Sequence, residues 1–297
     1  MSRIRILREA RRLSVEDLAE MVDVPPQHIN DVEEGVVEPS QTLWRDLAVA
    51  FGTSVLHLSG KHPFSDDVVS TAMMTKEFDD FTEFGFWGHI GIKLKGVSVT
   101  HWYPISVEAY QEITECLEAD DSRSELWIAA ETLNNRALVF DALKIERITF
   151  VDEAAEMPSS YRDAPFHVSN YYPAEVFKGA VEISLAEGDF PEGMSVSFHQ
   201  LATKFMEKWE ISDLLDLHDA MTATNTHMVD GTTRTETLCN SGCLAVFEAA
   251  IGNLCSNVPR MISFSDFGGD CDWYVPSREI VMLDMPLSEI VDEACRD

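Results

Sequence analysis

The sequence predicts an α+β protein, in which a small N-terminal domain of five helices precedes a larger body of strands and helices. Three observations predict this class. Residues 1–60 carry closely spaced helix start and stop signals, and residues 88–151 and 226–283 contain short alternating segments around glycine or asparagine turns. The chain of 297 residues, 45% of them hydrophobic, is also long enough to bury the core of a further domain.

The five N-terminal helices are predicted from their ends. Apolar residues at helical spacing up to Leu13 indicate the first helix. The next four begin at residues that cap a helix or fix its first turn: Ser14, Pro25 with Pro26, Ser40 and Ser54. Ser14 and Asp17 have the spacing of a capping box, and Gly35 and Gly52 are expected to end the third and fourth helices.

The segment LREARRLSVEDLAEMVDVPPQHINDVEEG, residues 7–35, resembles helices 1 to 3 of the helix-turn-helix domain of the lambda-repressor/Cro (XRE) family. With the two helices that follow, the resemblance covers residues 1–60, about a fifth of the chain. It implies a five-helix fold whose third helix reads DNA in the major groove as one half of a dimer. Members of this family often repress nearby genes.

The resemblance also implies roles for individual residues. The reading positions of the third helix correspond to four residues: Gln27, His28, Asn30 and Asp31. Arg11 and Arg12 are the candidate phosphate contacts. Arg8 and Glu33 fall where the family commonly places an ion pair between the first and third helices, so we expect both to be structural.

The charge of this domain departs from the family pattern. Residues 1–60 contain six arginines and no lysine against ten acidic residues, a net charge of −4. The loop after the third helix, usually basic in the family, is Val36-Val37-Glu38. Since cations that neutralise phosphates supply most non-specific affinity for DNA, two functions stay open. The domain either binds DNA with the help of the arginines on its first helix, or makes protein contacts.

The body shows the same order of elements twice. The turns of its hairpins are Lys95-Gly96 and Asn134-Asn135 in the first stretch, and Asp230-Gly231 and Gly268-Gly269 in the second. Corresponding turns are 135 and 134 residues apart. This constant spacing favours an internal duplication of a β-β-α-β-β-β unit.

We therefore predict five segments along the chain. They are a helix-turn-helix domain at 1–60, a linker at 61–70, a first α+β repeat at 71–155, a connecting α/β segment at 156–223 and a second α+β repeat at 224–297. Within the connecting segment, a strand is expected near residues 180–186, followed by a helix capped by Ser197 and another from Ser212 to about Met221.

No pattern typical of catalysis or cofactor binding is found, so we expect neither an enzyme nor a cofactor. The sequence has no G-x-S-x-G turn before a helix and no phosphate-binding loop. Cys239 and Cys243, with His218 and His227 nearby, form one loose pair, whereas a zinc site usually has two closely spaced pairs. Buried, small apolar cysteines are the favoured interpretation, and no metal site is predicted.

The remaining composition bears on location. No stretch approaches the roughly 18 apolar residues of a membrane span, and the N-terminus lacks the apolar core of a signal peptide. We expect a cytoplasmic protein, with no membrane contact, whose six cysteines are reduced. Residues 61–297 carry a net charge of −26, so this body should not attract nucleic acid by charge.

The predicted function is that of an XRE-type DNA-binding transcriptional regulator with a C-terminal body that dimerises or senses a ligand or partner. Its expected partners are double-stranded DNA and a second copy of the chain. The alternative is a protein-interaction module, in which an acidic helix-turn-helix domain does not bind DNA and engages a basic protein partner.

Overall fold

The computed structural model describes residues 2–63, 86–119, 124–152, 155, 158, 174–186, 189–208, 217, 222–237, 240–251, 258–265 and 271–295. The chain divides into two compact units. We call them the helical unit, Met1–Phe86 with Tyr172–Leu217, and the sheet unit, Trp87–Tyr171 with His218–Asp297. Each unit is thus built from two separate stretches of sequence. None of the described helices combines the length and the apolar character needed to cross a bilayer.

The described helices and strands have the following bounds. The helices are α1 Arg3–Ala10, α2 Val15–Met21, α3 Pro26–Glu33, α4 Gln41–Ala50, α5 Val55–Ser59, α6 Val107–Glu118, α7 Ala174–Leu185, α8 Val196–Lys208, α9 Asn240–Ala250 and α10 Leu287–Ala294. The strands are β1 Phe86–Leu94, β2 Thr100–Ser106, β3 Trp127–Glu131, β4 Arg136–Asp141, β5 Ile145–Asp152, β6 Ala223–Met228, β7 Thr233–Thr237, β8 Met261–Ser265, β9 Asp272–Pro276 and β10 Ile280–Pro286.

Serine side chains begin four of the first five helices, because a serine Oγ can accept a bond from an otherwise unpaired N–H of the first turn. Ser14 and Asp17 form the predicted capping box, in which each side chain accepts from the other residue's N–H at 3.0 Å. The serine caps of α1, α4 and α5 are Ser2, Ser40 and Ser54. Helix α3 instead begins with Pro26 in its first turn, as predicted.

Helices α1 to α5 also end alike, in a residue with left-handed backbone that turns the chain sharply: Arg12, Asp23, Gly35, Gly52 and Gly60. After α3, for example, the N–H of Val36 donates to the carbonyl of Asp31 at 2.8 Å, which satisfies a carbonyl at the helix end. Glycine adopts this backbone without steric cost. The predicted stops at Gly35 and Gly52 are confirmed.

The first five helices share one apolar core, and α7 and α8 pack beside it within the helical unit. Leu18, Ile29, Leu47 and Phe51 lie in that core with no exposed surface. The strand predicted near residues 180–186 is wrong, since these residues belong to helix α7 or directly follow it. Their side chains are apolar at nearly every second position, and such a short run does not distinguish a strand from a buried helix.

The sheet unit contains the order β-β-α-β-β-β twice among its described elements. Its strands form a sheet of order β2-β1-β5, a sheet of order β3-β4-β10-β6-β7, and the β8-β9 hairpin. Strand β5 pairs antiparallel with β1, and β10 pairs antiparallel with β6, so the last strand of each half returns to the first. Strand β10 also pairs with β4 and thereby joins the halves. The origin of the halves by duplication stays a prediction.

Side chains from both larger sheets meet in the core of the sheet unit. Ile90 and Tyr103 come from the first sheet, and Phe140 and Met282 come from the second. Buried beside them, Asp284 accepts hydrogen bonds from the side chains of three residues on other strands: Tyr103, Arg136 and Asn225. A buried carboxylate bonded by a cation and two neutral donors does not destabilise the core as an unpaired charge would.

The structure refines one sequence-based expectation, the cap of α8. Ser195, not Ser197, caps α8, because its Oγ accepts from the N–H of Phe198 at 3.0 Å. Helix α10 is not predicted from the sequence, and its first turn follows β10 directly. The turn Gly268-Gly269, Cys239, and nearly all of the helix expected at 212–221 lie outside the described residues. No disulfide joins the four described cysteines.

Candidate nucleic-acid interface

Helix α3 is anchored in the domain by its apolar side. Ile29 is fully buried and Val32 is 5% exposed, and both contact the core formed by the other helices. On the opposite side Gln27 is exposed, and Asn30 and Asp31 are half-buried. The helix therefore presents a polar face outward, at the positions that the sequence assigns to DNA reading.

Gln27 and Asp31 form one hydrogen-bonded pair on this outward face. The side-chain Nε2 of Gln27 donates to Oδ1 of Asp31 at 2.8 Å, across one turn of the helix. This bond orients the glutamine amide, whose Oε1 and second N–H stay directed away from the carboxylate. An amide so held can bond the edge of adenine, and a carboxylate oxygen can accept from the amino group of cytosine.

His28 has a different environment from the other predicted reading residues. It lines a cleft of about 250 Å³ together with the α2–α3 turn, the start of α4 and residues Ser195 to Ser197 before and in α8. At the wall of this cleft Oγ of Ser195 donates to Oδ1 of Asp46 at 2.7 Å, and Oγ1 of Thr42 donates to the carbonyl of Gly193 at 3.0 Å. Burial raises the pKa of Asp46, while the bond from Ser195 opposes this rise.

The cleft shows that residues far along the chain border the reading helix. The contribution of Ser195 to Ser197 could not be inferred from the sequence, because they lie 167 to 169 residues after His28 and no local pattern links the two segments. The first turn of α8 thus lies at the edge of the candidate interface.

The ion pair between Arg8 and Glu33 is present and buried. Nε of Arg8 donates to Oε1 of Glu33 at 2.6 Å, and Nη2 donates to Oε2 at 3.0 Å, while the two side chains are 10% and 3% exposed. Nη1 also donates to the carbonyl of Leu13 at 2.9 Å. The bond to Glu33 raises the pKa of Arg8. This bidentate pair fixes α3 against α1 and is not available to a phosphate.

Most other arginines of the domain are also engaged within the helical unit. Arg3 donates to the carbonyl of His57 at 3.1 Å, and Arg5 pairs with Glu9 at 3.0 Å. Arg45 is buried, donates to Glu182 of α7 at 2.8 Å and lies 4.7 Å above the ring of Phe198. The cluster of arginines on the first helix is thus largely part of the scaffold.

The two candidate phosphate contacts lie together after α1. The side chain of Arg11 is half-buried, and its backbone N–H donates to the carbonyl of Leu7 at 3.0 Å. Arg12 is exposed and has the left-handed backbone that turns the chain into α2. These positions place both arginines at one corner of the domain, between the first two helices.

The loop after α3 is apolar and acidic. Val36 is 69% exposed and Val37 is 38% exposed, and Glu34 and Glu38 are exposed beside them. A loop that contacts phosphates normally carries cations or free N–H groups. Here the same position offers carboxylates and two exposed valines, which suit a protein surface better than a phosphate.

Comparison with known proteins agrees with this geometry. A family model described as helix-turn-helix matches residues 4–58, which span α1 to nearly the end of α5. No curated protein and no solved structure matches the chain. The fold, the placement of α3 and this match agree over the same residues. Residues 4–58 are therefore a helix-turn-helix domain of the lambda-repressor/Cro type, and this match supports, at a coarse level, a role in DNA-binding regulation.

Proposed function

We propose that this protein regulates transcription by placing α3 in the major groove of its operator, with Gln27, Asn30 and Asp31 as the reading residues. The observation that carries the proposal is the outward-facing Gln27–Asp31 pair on a helix whose other side is locked by a buried ion pair. A reader needs both features, since its side chains must reach base edges while the helix keeps a fixed angle.

The chemistry of these residues sets an expectation for affinity. Amide and carboxylate groups select bases by hydrogen bonds, but they do not neutralise phosphates. Arg11 and Arg12 supply the positive charge nearest to the start of α2. We therefore expect a protein that discriminates between base sequences while holding DNA weakly for its family. The sheet unit would serve as the dimerising or sensing body of this regulator.

The direct test is fluorescence polarisation with duplexes taken from the region upstream of the gene. Gln27→Ala should weaken binding to the preferred duplex by about tenfold, because one bidentate base contact is lost. Asp31→Arg should strengthen binding to random duplex, since it replaces an anion by a cation on the groove-facing side. Glu146→Arg, an equal change of charge at an exposed position of the sheet unit, is the matched control and should leave affinity nearly unchanged.

A second function is supported by the loop after α3. Its exposed valines and glutamates would fit a basic, partly apolar protein segment, and the domain would then act as an interaction module. Absence of duplex binding at about 50 mM salt, where phosphate contacts are strongest, would favour this alternative. Under it, Val36→Asp would abolish binding of the protein partner, whereas Gln27→Ala would not.

A further inference from the structure

We propose that strand β7 forms a homodimer interface, in which it pairs antiparallel with β7 of a second copy across a twofold axis at Thr235. The two five-stranded sheets would then continue into one sheet through the dimer. The inference deepens the proposed function, in which the sheet unit would serve as a dimerising or sensing body, but it is argued from the strand alone.

Strand β7 is the outermost strand of its sheet. It pairs with β6, and the residues from Thr233 to Glu236 are all exposed. At the hairpin the N–H of Met228 donates to the carbonyl of Thr232 at 2.8 Å, which fixes the alternation of bonded and non-bonded pairs along the ladder. It follows that Arg234 and Glu236 direct their backbone groups to β6, whereas Thr233, Thr235 and Thr237 direct theirs to the open edge.

Within the part of the chain that the structure describes, nothing bonds the backbone groups of Thr233, Thr235 and Thr237 on this side, so the open edge offers them to a partner strand. An antiparallel partner centred on Thr235 places Thr235 opposite its own copy and Thr233 opposite Thr237. This register contains three hydrogen-bonded residue pairs. Each pair contributes two hydrogen bonds, so about six bonds would join the strands. The side chains of Thr233 and Thr235 already contact His227 and Asn225 within the sheet, so they need not rearrange.

The charges of β7 are self-complementary in this same register. Arg234 comes to lie opposite Glu236 of the second copy, and the twofold axis repeats the pair. Both are non-hydrogen-bonded positions in the new ladder, where opposed side chains approach most closely. Neither residue forms an ion pair with another described residue, and both are exposed. The two exposed, opposite charges on one face of the strand thus match those of a second copy.

Other pairings are opposed by the same charges. A twofold axis moved to Arg234 or to Glu236 would place like charges directly opposite each other, which destabilises a strand pair. An unrelated strand without the alternating charges would leave both side chains without a partner, and charged edge strands generally resist such pairing. The alternation of threonine with Arg234 and Glu236 therefore selects a second copy in one register.

The experiment measures the dimer dissociation constant of the full chain by sedimentation velocity. Arg234→Glu alone and Glu236→Arg alone each create two repulsive pairs and should raise this constant about tenfold. An equimolar mixture of these two variants should recover dimers, because each strand then faces one of opposite charge. The double variant Arg234→Glu with Glu236→Arg should also recover them. Arg278→Glu, at an exposed arginine elsewhere in the sheet unit, is the control and should have no effect.

Hydrogen exchange gives a second readout, since the N–H of Thr235 should be protected in the dimer and exchange rapidly in either single variant. A monomeric wild type, or a dimer that ignores both single reversals, would overturn the strand pairing. The outcome is separable from DNA binding. A monomer that still binds duplex through α3 would contradict only the strand interface. A dimer linked through β7 that binds no duplex would contradict only the proposed DNA reading.

Discussion

At the residue scale, His227 shows how burial changes the chemistry of a titratable group. Its Nδ1 lies 2.9 Å from Oγ1 of Thr233, its ring is 4.6 Å from that of His101, and its Nε2 has no described partner. Burial, with the nearby His101, lowers the pKa of His227 to about 4. The unfolded chain therefore binds a proton below pH 6.5 that the folded chain does not, so acidification destabilises the fold.

His227→Phe should remove this pH dependence while keeping an aromatic ring in the core. The buried histidine lowers the free energy of unfolding of the wild type hardly at all at pH 7. This destabilisation grows as the pH falls through 6.5 and is complete near pH 4. Between pH 7 and pH 5, the free energy of unfolding of the variant should thus rise by about 2 kcal/mol relative to wild type. Urea unfolding at both values measures it.

The comparison with the variant is necessary because other groups act in the opposite direction. Burial raises the pKa of Glu131 to about 8, so the folded chain takes up a proton there as the pH falls below 8, and this stabilises it. Taking the difference between the two chains cancels that contribution. A difference that stays constant from pH 7 to pH 5 would contradict the assigned role of His227.

The sequence predicts individual site residues only as far as local signals extend. The positions of Gln27 and Asp31 on an outward helix face follow from the proline start and the glycine stop around α3. The engagement of Arg45 by Glu182 does not follow, because the partners are 137 residues apart. Arginines that are counted as available cations in a sequence are thus partly used by contacts that only the fold creates.

At the element scale, the packing of α7 on α8 depends on a glycine. A side-chain Cβ at Gly179 would lie 2.8 Å from ring atoms of Phe198. Contacts this short force a neighbouring group to move, and the buried ring of Phe198, which also contacts Arg45, has little room to do so. The glycine therefore lets the two helices approach, at the cost of lower helix propensity.

Gly179→Ala should accordingly destabilise the helical unit by about 1–2 kcal/mol, although alanine favours a helix interior by about 1 kcal/mol over glycine. The cause is the clash with Phe198, so the same change should be neutral or stabilising when Phe198→Leu is also present. A double-mutant cycle by thermal unfolding measures the coupling. Equal effects of Gly179→Ala in both backgrounds would show that the ring is not the obstacle.

Elements whose ends carry a local signal, such as a capping serine or a turn glycine, are predictable from the sequence. Long-range strand pairings are not. The caps of α2, α4 and α6, which are Ser14, Ser40 and Ser106, and the turns at Gly96 and Gly231 are visible locally, because each satisfies or redirects the backbone within a few residues. The second half of helix α7 carries an apolar run that lacks such a local signal, and its pattern therefore predicts a strand. The pairing of β10 with both β4 and β6 joins residues that are up to 150 apart in the chain, as in Pro286 with Arg136, and no local pattern marks it.

At the scale of the whole molecule, the net charge of −30 opposes association with DNA. Among the arginines of the reader domain, Arg3, Arg5, Arg8 and Arg45 contact other groups of the helical unit. Arginines held by such contacts are less available to displace counterions from the duplex. Affinity would depend more on base contacts and less on salt than in a basic regulator.

The salt dependence of DNA binding should therefore be shallow. With Arg11 and Arg12 as the phosphate contacts, the logarithm of the association constant should fall against the logarithm of salt with a slope of about −2 per subunit. Arg12→Ala should reduce the magnitude of this slope by about 1, whereas Arg45→Ala should leave it unchanged. Polarisation titrations over a salt series measure it, and a slope several times steeper would mean that further cations reach the backbone.

Because each unit consists of two separate stretches of sequence, the order of synthesis determines when each unit can be completed. A ribosome delivers α1 to α5 first, but the two helices that pack beside them arrive only after residue 174, when the first half of the sheet unit has already left the exit tunnel. The sheet that contains β3 and β4 is in turn incomplete until β6 and β10 are made, because β10 pairs with β4 and lies at the centre of that sheet. The helical unit is therefore complete only after the first half of the sheet unit has been made, and the sheet unit is complete only after the helical unit.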